Sequence, residues 1–448
     1  MLKTNSTLFM LSLLFSLSLY IEDTRADSEI TDGLNYLNQL RSSANMTLFS
    51  SNALLDDSAF NHSNYLMVNN TSGHYETETE SDTFTGYYPF ERAAYVGYKG
   101  ISTVSENIFS GDVDIYTSID QLFSAIYHRF GFLSFDKNEV GIGVASSDDY
   151  DYTSSFVYNM GNMDITLLCD GSSQNSGYKG WCLDPDFIIK LDDYLAAQNI
   201  SRAANPELVV WPYDGQQDTI PVFFEESPDP LPECSVSGYP ASIQFNEHYT
   251  SNIEMISFKL YNSEDSEITN TEILTQATDP LNLAYPESLP GFTAYQFALF
   301  PMDRLEWDSN YVAEFIYTEG DVEKEKIWGF KTKKTTYPSY TIEANNQILT
   351  VVSGNPYTFY APPQDCNDTL ISFHHSTTNT DSLHVDFIEY NDLNSIDIQV
   401  SGSIGDELTV DLSNGISFVL KISNTDTAPG GISFNPAVSA IINSYLLL

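Results

Sequence analysis

Apolar residues recur at three- and four-residue spacing soon after residue 26, at Ile30, Leu34, Leu37 and Leu40. That period predicts a helix, begun by a cap at Asp27-Ser28. A second helix starts near Asn52 and places Leu55, Ala59, His62 and Leu66 on one face. His62 on an apolar stripe reads as a hydrogen-bonded packing residue rather than a ligand. Pro89 opens a third helix through Phe90, Ala93, Ala94 and Tyr95, and Gly97 stops it. Ile119, Leu122, Phe123 and Ile126 mark a fourth, with His128-Arg129 at its end. The run Asn69 to Thr85 carries Glu76, Glu78, Glu80 and Asp82 without apolar partners, so it reads as a solvated loop. Val140 to Val144 reads as a buried strand, and Phe156-Val157-Tyr158 as its neighbour.

The pattern then changes. A Gly- and Ser-rich loop spans Asp170 to Gly180, and Phe187, Ile188, Leu191, Tyr194 and Leu195 predict a connecting helix. From Pro206 onward the dominant period is two. Ile256, Phe258 and Leu260 alternate with Ser257 and Lys259, and further strands run over Tyr311–Tyr317 and Ile327–Lys331. A last unit, from Tyr340 to Thr427, alternates through Leu383, Val385 and Phe387, then Ile396, Ile398 and Val400, then Leu408, Val410 and Leu412, then Phe418 and Leu420. Short, regular intervals between those strands predict a β-sandwich. His384 falls on its solvated face, and the adjacent His374 and His375 point to opposite faces of one strand.

Length adds scale: 448 residues accommodate three domains of about 150. Charge narrows the partners. The 62 acidic residues outweigh 18 basic ones, a formal charge of −44, which disfavours nucleic acid and anionic lipid surfaces. Residues 1–26 have the form of a secretory signal: Lys3, an apolar run from Leu8 to Tyr20, and a cleavage site at Thr24-Arg25-Ala26. Four cysteines in an exported chain point to disulfides. Cys169 with Cys182 is the expected local bridge, worth about 3 kcal/mol in the chain-entropy model; Cys234 with Cys366 would then join two later modules. N-glycosylation sequons stand at Asn45, Asn61, Asn69, Asn70, Asn199 and Asn367. The apolar end Tyr445-Leu446-Leu447-Leu448 is either a final strand or the end of a lipid-anchor signal.

Several motifs occur in order over residues 30–162: Leu37-Asn38-Gln39-Leu40-Arg41, Leu54-Leu55 with Ala59 and His62, and Gly73-His74. Pro89-Phe90-Glu91-Arg92-Ala93 with Gly97-Tyr98, Ser105-Glu106-Asn107-Ile108, His128-Arg129 and Gly141-Ile142-Gly143-Val144 complete them. As an ordered set they resemble the CAP superfamily of cysteine-rich secretory, antigen 5 and pathogenesis-related proteins, in the short form of secreted bacterial proteins. Ser105 replaces the family's usual glycine. The second glutamate of the four-residue animal site has no match, Asp120 being a poor one. What carries over is a trio of His74, Glu106 and His128. The segments Asp214-Gly215-Gln216, Pro228-Asp229-Pro230, Gly238-Tyr239-Pro240 and Trp328-Gly329-Phe330-Lys331-Thr332 resemble the Ig-like module that follows CAP domains in some bacterial proteins.

The expected fold is α+β: an N-terminal α/β/α sandwich followed by two all-β, sandwich-like domains. The expected divisions are a signal peptide at 1–26, the CAP-like domain at 27–165 and a disulfide loop with connecting helix at 166–204. An Ig-like domain follows at 205–335, a β-sandwich at 338–428 and an apolar tail at 429–448. His74, Glu106 and His128 form a candidate cleft and a candidate site for Zn²⁺ or another divalent cation. The resemblance implies a secreted or surface-anchored binding protein for a small-molecule, lipid-like or envelope ligand. A metal-dependent extracellular hydrolase with Glu106 as base is one alternative, and a structural or adhesive surface protein is another. No Gly-x-Ser-x-Gly elbow and no phosphate-binding glycine loop are present.

Overall fold

The computed structural model describes residues 28–147, 153–288, 290–368, 372–377, 382–392 and 394–426. The signal segment with its cleavage site, the Asp27 cap and the C-terminal tail lie outside those residues. The first helix, α1 (residues 28–43), buries Leu37 and Leu40, while Ile30 and Leu34 pack against the same core. A short strand β1 (Ser50–Ser51) leads to Asn52, whose Oδ1 accepts from the Leu54 and Leu55 amides at 3.0 and 3.3 Å and so starts α2 (Ala53–Val68). Helix α3 (Pro89–Tyr95) has proline at its first position, and Gly97 behind it takes φ +89°.

Strands β2 (Ser105–Ser110), β3 (Glu139–Ser146) and β4 (Ser154–Gly161) complete a sheet in the order β1-β3-β4-β2. Helix α2 lies directly on β3. A Cβ on Gly141 would come within 2.0 Å of the Leu55 carbonyl carbon, and one on Gly143 within 2.1 Å of the Phe60 nitrogen. Only glycine permits so close a backbone approach.

Where the sequence predicts one helix ending at His128, the chain forms two, α4 (Ile115–Ser124) and α5 (Ile126–Phe132). Ala125 between them is extended, with φ −73° and ψ 120°. The interruption is held from both sides. Buried Arg129 folds back to donate to the Phe123 and Ser124 carbonyls at 2.6 and 3.3 Å. Glu226, from far along the chain, accepts from the Ile126 and Tyr127 amides at 2.5 and 3.4 Å. His128 therefore sits in the first turn of α5 rather than at a helix end.

After α6 (Met163–Asp170), the Cys169–Cys182 bridge closes the loop, and α7 (Leu191–Ala204) begins later than predicted, leaving Phe187 and Ile188 outside it.

The second unit has strands β5 (Leu208–Trp211), β6 (Gln216–Thr219), β7 (Val222–Phe224), β8 (Val236–Gly238), β9 (Ala241–Phe245) and β10 (Ile253–Tyr261). Strands β11 (Thr271–Leu274), β12 (Gln296–Pro301), β13 (Asn310–Glu319) and β14 (Val322–Thr332) follow. They form two four-stranded sheets, β10-β13-β14-β6 and β11-β12-β9-β5, with β7 and β8 paired separately. In β10, Phe258 and Leu260 are buried as alternation predicts, but Ile256 is 53% exposed. A bulge between Met255 and Ser257 shifts the register there and turns Ile256 outward.

The core of this unit is continuous with that of the first. Phe123 stacks on Trp211 at 4.3 Å, and one apolar cluster runs from Leu37 through Trp211 to Phe330. The third unit also has two four-stranded sheets, around a core of its own. His374, His375 and His384 are exposed on it.

Candidate functional site

Glu106 lies on β2, the edge strand of the first sheet, opposite Asn159 of β4. Alternation sends Asn107 the other way, where its amide donates to the His128 carbonyl at 2.8 Å. Glu106 is 1% exposed and is satisfied from several directions. Arg92 of α3 donates through Nη2 to both carboxylate oxygens, at 2.7 and 2.8 Å. His74 donates from Nδ1 to Oε1 at 3.1 Å. With its amide oriented to satisfy both ends, Asn159 donates to Oε2 at 3.0 Å.

Behind this pair lies a second one. His62 of α2 is fully buried and sets Nδ1 against Glu76 Oε1 at 3.0 Å and Nε2 against the Gly73 carbonyl at 3.1 Å. Both ring nitrogens are thus engaged by oxygens of the loop that carries His74. Glu76 also accepts from the Thr85 and Gly86 amides at 2.6 and 3.2 Å, which ties down the loop that carries His74. Glu76, Glu106, Arg92 and His62 thus form one buried polar network. Burial acts to raise the Glu106 carboxyl, but the charges of His62, Arg92 and His74 overcome it and hold the group at about 2.

The site opens at one end. His74 is 33% exposed and His128 12%, and their rings lie 6.2 Å apart, centre to centre, within 20° of parallel. His128 does not share Glu106. Its Nδ1 donates to Glu226 Oε2 at 2.7 Å, on a side chain that follows β7 in the second unit and is 4% exposed. Each open imidazole is therefore oriented by its own carboxylate through Nδ1, and the Nε2 of each makes no hydrogen bond among the described residues. The cleft is composite: the first unit supplies both rings and the second supplies one of the two carboxylates.

Of the expected trio, His74 and Glu106 are in direct contact, and His128 joins them as the neighbour of His74. Glu76, Arg92 and Glu226 escaped sequence reasoning. Glu76 stands first in an acidic run expected to be solvated, yet it is fully buried; its nearness to Gly73-His74 was the available signal. Arg92 stands inside the Pro89-Phe90-Glu91-Arg92-Ala93 motif, with no local pattern that marks it as a partner of Glu106. Glu226, 98 residues from His128, carried no local signal. Asp120 stands apart, accepting from the Tyr36 hydroxyl at 2.6 Å.

Residues 34–161 match the family model of the cysteine-rich secretory protein family, CAP. This segment is a CAP domain. Its fold is similar to that of an outer surface protein from Borrelia burgdorferi, with 17% identity, 30% of this chain and 92% of that one covered, and a TM-score of 0.26. An extracellular SCP-domain protein from Bacillus anthracis is similar at 19% identity, over 31% of this chain and 41% of that one, with a TM-score of 0.26. No curated protein matches the chain.

All four cysteines lie outside the CAP segment and are bonded as Cys169–Cys182 and Cys234–Cys366, which suits an oxidising compartment. Among the described residues no helix is long and apolar enough to cross a membrane. A hollow of about 360 Å³ lies away from the cleft, on the second unit, walled by Tyr261, Glu314 and Ile327 over Gly329.

Proposed function

We propose that this is an exported CAP-domain binding protein whose cleft presents two oriented imidazoles to a divalent cation or another electron-pair acceptor, without catalysing a reaction. The observation that carries this reading is the division of labour at each ring. Nδ1 is committed to a carboxylate, which fixes tautomer and direction, while Nε2 is left uncommitted, the arrangement that supports metal-ligating histidines. Among the described residues no group of three or more His, Cys, Asp or Glu could hold a metal ion. A cation here would have His74 and His128 as its side-chain ligands. Glu106 and Glu226 would orient those rings instead of binding the ion, and water or an incoming ligand would fill the remaining positions. Such a cation would supply Lewis acidity and a docking point for a donor atom of the ligand.

The hydrolase alternative fares worse on chemical grounds. A general base works best with a pKa near the operating pH. Glu106 is held at about 2, with both oxygens engaged by Arg92. The test is calorimetric titration of the full-length, disulfide-intact protein with Zn²⁺. Stoichiometric binding lost in both His74→Ala and His128→Ala supports the reading. Zn²⁺ uptake indifferent to both changes, or Glu106-dependent cleavage of a peptide or wall substrate, would sink it.

A further inference from the structure

Beside the cleft, on the segment that carries His74, four aromatic rings stand together in solvent. Tyr75, Tyr87, Tyr88 and Phe90 are 51, 38, 44 and 42% exposed. Tyr75 lies along Tyr87 at 5.1 Å, Tyr88 meets Tyr75 and Tyr87 edge-on at 5.7 and 4.7 Å, and Phe90 stacks on Tyr88 at 5.4 Å. The buried network holds this face rigid. The Glu76 amide donates to the Tyr87 carbonyl at 3.3 Å, and Arg92 Nη1 donates to the same carbonyl at 3.1 Å. The Tyr88 amide is closed by Glu91 Oε2 at 3.1 Å. Grouped, preorganised rings of this kind are the composition of a recognition surface, because they present large contact area with little conformational freedom to lose.

Charge selects the partner. Between residues 74 and 95 the acids are Glu76, Glu78, Glu80, Asp82 and Glu91, and the only Lys or Arg is Arg92. Arg92 and Glu76 are buried in the network, whereas Glu78, Glu80 and Asp82 are exposed. The segment that carries the rings therefore offers ring quadrupoles and exposed carboxylates, and its one Lys or Arg is buried. A guanidinium lies flat on such rings and forks to carboxylates at its edge.

We propose that the Tyr75–Phe90 face docks an arginine-bearing polypeptide segment of a partner. This assignment does not rest on the imidazole pair and stands whether or not the cleft takes a ligand.

Fluorescence anisotropy with a labelled peptide of alternating Arg and Gly, against the full disulfide-intact chain at about 0.15 M salt, tests it. Replacing Tyr75 and Tyr88 together by serine leaves the net charge unchanged, so diffuse attraction to an acidic protein is preserved. The affinity should nonetheless fall about tenfold, as two exposed cation–π contacts are lost. Glu78→Gln with Glu80→Gln and Asp82→Asn should weaken binding and flatten its salt dependence. Both rings are exposed, so an unaltered thermal midpoint confirms that the tyrosine variant is folded. Equal peptide affinity in parent and folded tyrosine variant overturns the proposal. So does a neutral cellohexaose probe that binds more tightly than the peptide and is lost in the same variant, which would make the face a sugar platform.

Discussion

The two junctions between the three units are built in opposite ways. Between the CAP domain and the second unit there is no seam. Arg129 is fully buried and donates to the Pro240 carbonyl at 2.8 Å and Ser242 Oγ at 3.0 Å, besides two carbonyls of its own unit. The Tyr239 hydroxyl donates to the Phe123 carbonyl at 3.0 Å, and Gln244 reaches the Leu133 carbonyl at 2.5 Å. Between the second and third units the contacts among the described residues include the Cys234–Cys366 bridge, the Val236 amide donating to the Cys366 carbonyl at 3.1 Å, Asn367 accepting from the Ser235 amide and donating to the Glu233 carbonyl, each at 3.0 Å, and Arg304 lying over Trp307 and Tyr360 and donating to Ser395 Oγ at 3.1 Å. The first junction buries apolar surface and polar networks together. The second is a tether between separate cores. The difference explains why Glu226 belongs to the cleft: a carboxylate from a neighbouring unit can orient a histidine only where the two are held as one body.

The sharpest way to break this contrast is Arg129→Met. Removing a buried guanidinium strands its acceptors and should cost about 3–5 kcal/mol, seen as an earlier, broader unfolding transition of the first two units in denaturant. A loss below about 1 kcal/mol would mean that they merely touch.

Acid gives the next largest effect. The Glu106 carboxyl is depressed from 4.5 to about 2 in the folded state, so its contribution is present above about pH 4.5 and is lost as pH falls towards 2. The shift corresponds to about 3 kcal/mol at most. Denaturant midpoints over that window should fall for the fused pair, and the third unit should not share the Glu106-dependent part of the loss. In Glu106→Gln that part should disappear, from a lower starting stability because Arg92 loses its partner.

Cys234→Ser with Cys366→Ser tests the tether. Small-angle scattering should show a more extended chain, while the fused pair keeps its unfolding free energy within about 0.5 kcal/mol, as expected of a distant change. Glu226→Gln leaves one acceptor oxygen where Glu226 offers one to the Ile126 and Tyr127 amides and another to His128, and should cost about 1 kcal/mol. Zn²⁺ affinity at the proposed cation site should drop about tenfold, because an orienting carboxylate has been neutralised.

The elements that follow from local period were legible in the sequence. The α2 stripe, the Pro89 start of α3, and strands β3, β4, β13 and β14 all appear where periodicity puts them. His74, Glu106 and His128 were legible because short motifs stand in a fixed order. What stayed hidden depends on distant partners. The break at Ala125 needs Arg129 and Glu226 to close the two helix ends, and no residue near 125 signals it. Glu76 alternates with truly solvated acids, so nothing local separates it from Glu78. Ile256 reads as core until the bulge turns it outward. A boundary near residue 205 marks a change of period from helix to strand, yet the apolar core continues across it.

The bare backbone at Gly141 and Gly143 has a further consequence. These positions set the height of α2 above the sheet, and α2 carries His62 while β2, two strands away from β3, carries Glu106. An added methyl group at either glycine would lift the helix like a shim under a bearing and misalign the buried His62 ring with Glu76 and Glu106. The cleft could thus be detuned by alanine at a position that touches none of its side chains.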